Sequence, residues 1–188
     1  MTTYQDYCLL LSIGAVIPPS DQTLDSIEDK DDNYTLVYSQ TKRWSFRPIL
    51  QNLTVGQFIQ LSNAKDVEDF LKVLKSPVTI QDMAANDYRH VLLFNRVIAR
   101  TMQGIARAME LAHLEPLPEE SGLESVRDES LKHLHLLNFA RTNFGYQSFA
   151  DAEEHPMSEV LVLMRLQADD ERFRRAYQRK IEQKHKLR

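Results

Sequence analysis

Six histidines are the side chains in this sequence best suited to proton transfer or metal binding: His90, His113, His133, His135, His155 and His185. His133 and His135 are two positions apart, which on a helix turns their rings roughly 200° away from each other. Glu129 and His133 are four apart and share a helical face. A metal centre needs three or more ligands, however, and neither an HExxH motif nor a pair of cysteines completes the set. The carboxylates fall in adjacent runs, Glu153-Glu154 and Asp169-Asp170-Glu171, which form solvated faces, whereas paired acid–base work needs groups converging from different elements. No GxGxxG, Walker A or GxSxG pattern occurs, and five scattered glycines cannot build a phosphate cradle. The sequence therefore predicts no catalytic residue, no metal ligand and no cofactor, and a protein that is not an enzyme.

Charge is more informative than chemistry. Between Arg172 and Arg188 stand eight basic residues and one acid, Glu182, for a net +7, while the whole chain carries −4, leaving −11 on residues 1–171. Phe173, Tyr177 and Ile181 recur at steps of four through this tail, so one apolar stripe is bordered by Arg172, Arg174, Arg175, Arg179, Lys180 and Lys184. These nine residues are the candidate partner-binding site, a docking helix whose stripe meets a groove and whose charges set orientation. Two other readings exist. Arg172, Arg174, Arg175, Arg179 and Lys180 can neutralise phosphates in a sequence-blind, salt-dependent way. Cations at a helix C-terminus also answer the macrodipole. The acidic remainder of the chain repels a polyanion, and two aromatics four apart make a packing stripe rather than a base-stacking platform. An acidic block, "SDQTLDSIEDKDDN", with six acids and one lysine, is a natural electrostatic mate, in the same chain or in another copy.

The elements that must carry this site follow from patterning. With 188 residues, 43% hydrophobic and 27% charged, the chain suits one domain, or one domain with a small appendage, and can bury a real core. Cys8 is the single cysteine, so an intrachain disulfide is excluded and a reducing compartment is expected. The run "CLLLSIGAVIPP" follows Asp6 and no basic residue, so it lacks the charged start of a signal peptide; it is also too short to span a bilayer and is expected to be buried core.

Residues 1–50 read as a mixed N-terminal segment in which "YTLVYSQ" and "RWSF", separated by "TK", form a hairpin. Residues 51–188 read as a helical domain. Thr54 and Gln57 have capping-box spacing, with Leu53 and Phe58 as a hydrophobic staple, opening a helix over 55–61. Asp66 caps a second helix carrying Val67, Phe70, Leu71 and Leu74, stopped by Ser76-Pro77. Thr79 caps "IQDM". From Asp87 to about His113, Val91, Phe94, Ile98, Met102, Ile105, Met109 and Ala112 define an amphipathic stripe, widened by Leu92, Leu93 and Val97. Gly104 within it is expected at a close helix crossing. "LEPLPEE" ends that helix, and Ser121 with Glu124 opens a region bearing Leu123, Val126, Leu131, Leu134, Leu137 and Phe139, ending at Gly145. Ser148 and Asp151 open a short turn of helix. The last helix starts at Pro156 and runs about 30 residues; its first half, "MSEVLVLMRL", is apolar nearly all round and is expected to be buried. The fold class predicted is mainly α: a multi-helix bundle with a small N-terminal hairpin-containing segment and a long C-terminal helix. Leu53, Val55, Phe58, Val91, Phe94, Ile98, Met102, Val160, Leu161, Met164, Phe173 and Tyr177 should build the core and the docking stripe.

"NLTVGQFIQLSNAKDVEDFLKVL" resembles a pattern in small helical morphogenesis proteins of tailed bacteriophages, the tail assembly chaperone-like proteins, where "LTVGQ" plus an aromatic opens the helical domain. "HPMSEVLVLMRLQADDERFRRAYQRK" is similar in style to their C-terminal part. The resemblance implies a non-enzymatic tail or virion assembly protein, or a virion structural protein, acting through protein–protein contacts in the host cytoplasm or the particle, without cofactor or membrane. Its partners would be other phage structural or assembly proteins. Self-association and a nucleic-acid-associated packaging or accessory role are the alternatives.

Overall fold

A computed structural model describes residues 3–12, 34–112 and 132–186. Among them the chain is mainly helical, with one two-stranded antiparallel sheet and a long C-terminal helix. In order these are α1 (Tyr4–Ser12), β1 (Thr35–Tyr38), β2 (Lys42–Ser45), α2 (Arg47–Gln51), α3 (Val55–Asn63), α4 (Val67–Val73), α5 (Ile80–Ala85), α6 (Tyr88–Leu111), α7 (Lys132–Phe144), α8 (Phe149–Glu153) and α9 (Met157–Lys186). The acidic block and the Ser121–Glu124 cap lie outside the described residues. The fold forms two compact units, Met1–Leu53 with Gln57–Met102 and Thr54–Gly56 with Gln103–Arg188. This division falls within α6, whereas the sequence reading drew its boundary after residue 50.

The first unit is built around aromatic rings. Thr35 pairs with Ser45, Leu36 with Trp44, Val37 with Arg43 and Tyr38 with Lys42. That alternation puts Leu36 and Trp44 in the core. The turn is Ser39-Gln40-Thr41 rather than the expected "TK", and Ser39 and Gln40 both take positive φ, 47° and 67°, the conformation Asn-Gly favours, here made without either residue. Phe46 meets Phe94 of α6 edge-on at 5.3 Å, and Trp44 meets Phe94 at 6.1 Å. Edge-on packing aligns ring edges with the negative faces of their neighbours.

Asn86, buried between α5 and α6, closes the exposed side of the hairpin. Its Oδ1 accepts from the Val37 N–H at 2.8 Å, and its Nδ2 donates to the Val37 carbonyl at 2.8 Å and the Asp82 carbonyl at 2.6 Å. One amide side chain thus does for β1 what a third strand would do. Thr79 caps α5, and the Asp82 carboxylate accepts from the Thr79 hydroxyl at 2.7 Å and from the Thr79 and Ser39 N–H groups; these hydrogen bonds, the hydroxyl first, hold its carboxyl below the usual range. Next to it, Asp87 starts α6 by accepting from the Arg89 backbone N–H at 2.9 Å while its side chain forks onto the Arg89 guanidinium at 3.1 and 2.7 Å. Burial pushes this carboxyl up, but the Arg89 contacts outweigh it and leave it below its ordinary value.

The Asp66 cap is present, with Asp69 N–H to Asp66 Oδ1 at 2.9 Å, and α4 closes on Lys75 at φ 52°. Val91, Phe94 and Ile98 are buried, as the α6 periodicity requires, and Ile105 continues the stripe in the second unit. Gly104 corrects the expectation of a close crossing: among the described residues a Cβ there would meet nothing within 4 Å, and the residue is exposed. The apolar run near the start is a second correction. Tyr7 is buried, stacked on Tyr88 at 4.6 Å, but Cys8, Leu9 and Leu11 face outward on α1, and the rest of the run lies outside the described residues.

Candidate functional site

The second unit positions α9. Gly145, at φ 75°, ends α7, and Tyr146 N–H reaches back to the Arg141 carbonyl at 2.9 Å, the hydrogen bond of a left-handed helix stop. Ser148 then caps α8, its Oγ accepting from Asp151 N–H at 3.1 Å. His155 sits buried in the following corner. Its ring lies 3.8 Å from the Phe144 ring, its Nδ1 is 2.7 Å from the Tyr146 hydroxyl, and its Nε2 faces Glu159 at 3.3 Å. This histidine joins the end of α7, the corner and the first turn of α9. Its carbonyl accepts from Val55 N–H at 3.0 Å, and Thr54 and Pro156 form a β-bridge. The start of α3 is thereby tied to the start of α9.

Gly56 explains the glycine in "LTVGQ". A Cβ on it would stand 2.9 Å from Glu153 Cβ and 3.2 Å from the Glu153 carbonyl, so α3 approaches the end of α8 at a distance only glycine permits. Close approach was expected of Gly104 and is found at Gly56. The local sequence held no sign of this, because the neighbour is almost a hundred residues away.

From this corner α9 extends through Lys186. One face packs inward: Met157, Val160 and Ala168 are buried, and Leu161 and Met164 are half-buried. Gln167 Nε2 bonds Asn143 Oδ1 of α7 at 2.7 Å, and Arg172 Nη2 donates to the Leu111 carbonyl at 2.5 Å, a cation on the C-terminal end of α6. The other face is open. Val162 is 61% exposed, Leu166 59%, Phe173 73% and Tyr177 59%, with Ile181 beyond them. The expectation that "MSEVLVLMRL" is buried all round is therefore corrected: only one side finds cover within the described residues. Leu134 on α7 is likewise exposed, and Leu136 and Ala140 take the buried positions.

Of the nine candidate partner-binding residues, Arg172 and Arg175 are held by the chain itself. Arg172 bonds Asp169 at 2.8 Å and Arg175 bonds Glu171 at 3.0 Å. Phe173 and Tyr177 lie ring beside ring, 6.5 Å apart and 12° from parallel. Arg174, Arg179, Lys180, Ile181 and Lys184 are exposed on the same helix. No family model matches this chain, and no curated protein or solved structure matches it.

No group of three potential metal ligands occurs among the described residues, and none of their helices is long and apolar enough to cross a membrane. His90, half-buried on α6, is pushed below its usual value by burial, with Arg89 and Arg43 opposing the pull of Asp87. Glu129 and His113 lie outside the described residues. A shallow cleft in the first unit, bordered by Arg47, Arg100 and Tyr34, has the Arg47 guanidinium stacked 4.3 Å over the Tyr34 ring. A second cleft, of about 280 Å³, opens on the outer side of α9 between Phe144, Val162, Leu163 and Leu166.

Proposed function

We propose that this chain is a non-enzymatic assembly or structural protein of a tailed bacteriophage, acting in the host cytoplasm or the virion through the outer face of α9. The observation that carries this reading is the open stripe of Val162, Leu166, Phe173, Tyr177 and Ile181, bordered by Arg174, Arg179, Lys180 and Lys184. Large apolar side chains left in water along one helix gain most when another protein covers them, and charged rims orient that partner. The similarity of residues 52–74 and 155–180 to phage morphogenesis proteins supplies the biological setting. The work is done by shape and charge, with no chemistry of the chain's own.

A nucleic-acid-associated role is the second reading, favoured by the net +7 of residues 172–188. The acids interleaved at Asp169, Asp170 and Glu171, two of which pair with Arg172 and Arg175, weigh against it. Truncation after Asp170 separates the two. The protein-contact reading expects the full chain to pass DNA and RNA columns at about 150 mM salt and to form a stoichiometric complex with co-expressed products of adjacent genes. That complex should be lost on truncation. Retention on nucleic acid that disappears on truncation, with protein association unaffected, would overturn the reading.

A further inference from the structure

We infer that the outer face of α9 is a self-recognition surface, through which two copies of this chain pair antiparallel about a two-fold axis passing between Glu171 and Arg172. This rests on the protein-contact reading and names the partner. The exposed positions repeat at eleven: Val162 with Phe173, Leu166 with Tyr177, and Asp170 with Ile181. At about 100° per residue all six fall within an arc of about 100°, opposite the buried Met157, Val160 and Ala168. An eleven-residue repeat drifts by about 20° per repeat, a slight right-handed wind, so over this length a second helix can follow the face from end to end.

The spacing of the face is also the same read in either direction. In an antiparallel pair centred between Glu171 and Arg172, Val162 shares a layer with Ile181 of the second copy, and Leu166 with Tyr177. Charges agree with this placement. Glu159 falls level with Lys184 of the second copy, and Asp170 comes within one residue of Arg174 on the same edge of the stripe. Asp170, Arg174 and Lys184 have no ion pair within their own chain among the described residues. A parallel pair in register would instead set each of these charges against its own copy. The apolar cleft bordered by Phe144, Glu159, Val162 and Leu166 lies where Ile181 of the second copy would arrive. Covering the five apolar side chains on both copies removes on the order of 1,000 Å² from water, the lower end for a specific interface, so a dimer in the micromolar range is expected.

Sedimentation velocity on the full chain between about 1 and 100 μM should show a monomer–dimer equilibrium. Glu159→Lys or Lys184→Glu alone should weaken it about ten-fold, and the two together should restore it to within about three-fold of the parent, because each reversed charge then meets the other across the axis. Leu166→Glu, at an exposed position, should weaken it about a hundred-fold or more while circular dichroism stays unchanged. A chain that remains monomeric at about 100 μM, or a double reversal no better than the single ones, overturns the inference. Either result leaves the protein-contact reading standing, with a different chain on the face; that reading falls separately, if α9 retains nucleic acid in place of protein.

Discussion

The helices α6 and α9 are the two longest described, and both carry a long apolar stripe, yet they use it in opposite ways. On α6, Val91, Phe94 and Ile98 are sealed within the first unit, with Phe94 against Trp44 and Phe46. On α9, Met157 and Val160 are sealed while Val162, Leu166, Phe173 and Tyr177 face out. The difference teaches that periodicity reveals a face but not its cover. A helix with one apolar face needs a core; the second apolar face of α9 is the one assigned to a partner under the proposed function.

The largest effect that can break this contrast is a matched pair of truncations. Phe94→Ala should cost about 3–5 kcal/mol in urea unfolding, the range for an aromatic removed from a packed core. Phe173→Ala should change the stability of the monomer by less than about 0.5 kcal/mol, as an exposed side chain does. A Phe173→Ala monomer as unstable as Phe94→Ala would mean that the outer face of α9 is covered within its own chain.

Two glycines sharpen the comparison at a smaller scale. Gly56→Ala should destabilise by about 1–3 kcal/mol, because its methyl group meets Glu153 backbone and Cβ atoms that cannot swing aside. Gly104→Ala should stabilise by about 1 kcal/mol, since it adds helix propensity where nothing stands in the way. Thermal unfolding of the two variants with opposite signs places the close approach at the start of α3 and leaves that part of α6 open. The same sign in both would refute that assignment.

The smallest effect is a pH dependence at the start of α6. The carboxyl of Asp87 is held below its ordinary value in the fold, so its contribution is complete above about pH 4, near the unfolded value, and is lost as pH falls through the folded value. Asp87→Asn should therefore be less stable than the parent at pH 7, with the gap closing on acidification. A gap between Asp87→Asn and the parent that stays constant from pH 7 down to about pH 2 would contradict this role for the sealed start of α6.

What could be read from the sequence was whatever neighbours along the chain decide. Asp66, Thr79, Ser148 and Gly145 act within a few residues of themselves, and each does in the fold what its spacing announced. The stripe of α6 was legible because burial follows the helical period. The Thr3–Asp6 pair, bonded at 2.7 Å, has the spacing of a capping box and marks a helix start that the apolar run after it obscured. What escaped were matters of distance. Asn86 bonds Val37 across 49 residues, and no local pattern marks an asparagine as a strand partner. Gly56 and Gly104 are both glycines near a helical stripe, and only the fold says which one faces a backbone. The same holds for "MSEVLVLMRL": a run apolar all round can mean a buried helix or one with two faces.

The central proposal is that a second copy of this chain covers the outer face of α9. The most direct measurement is the distance between spin labels placed singly at Gln178→Cys and at His185→Cys, in a chain whose exposed Cys8 is replaced by serine. With a rise of 1.5 Å per residue and helix axes 8–10 Å apart, the antiparallel pair predicts about 22 Å between the helix axes at position 178 and about 41 Å at 185. No dipolar coupling at either position at about 100 μM, or one short distance common to both, would contradict it.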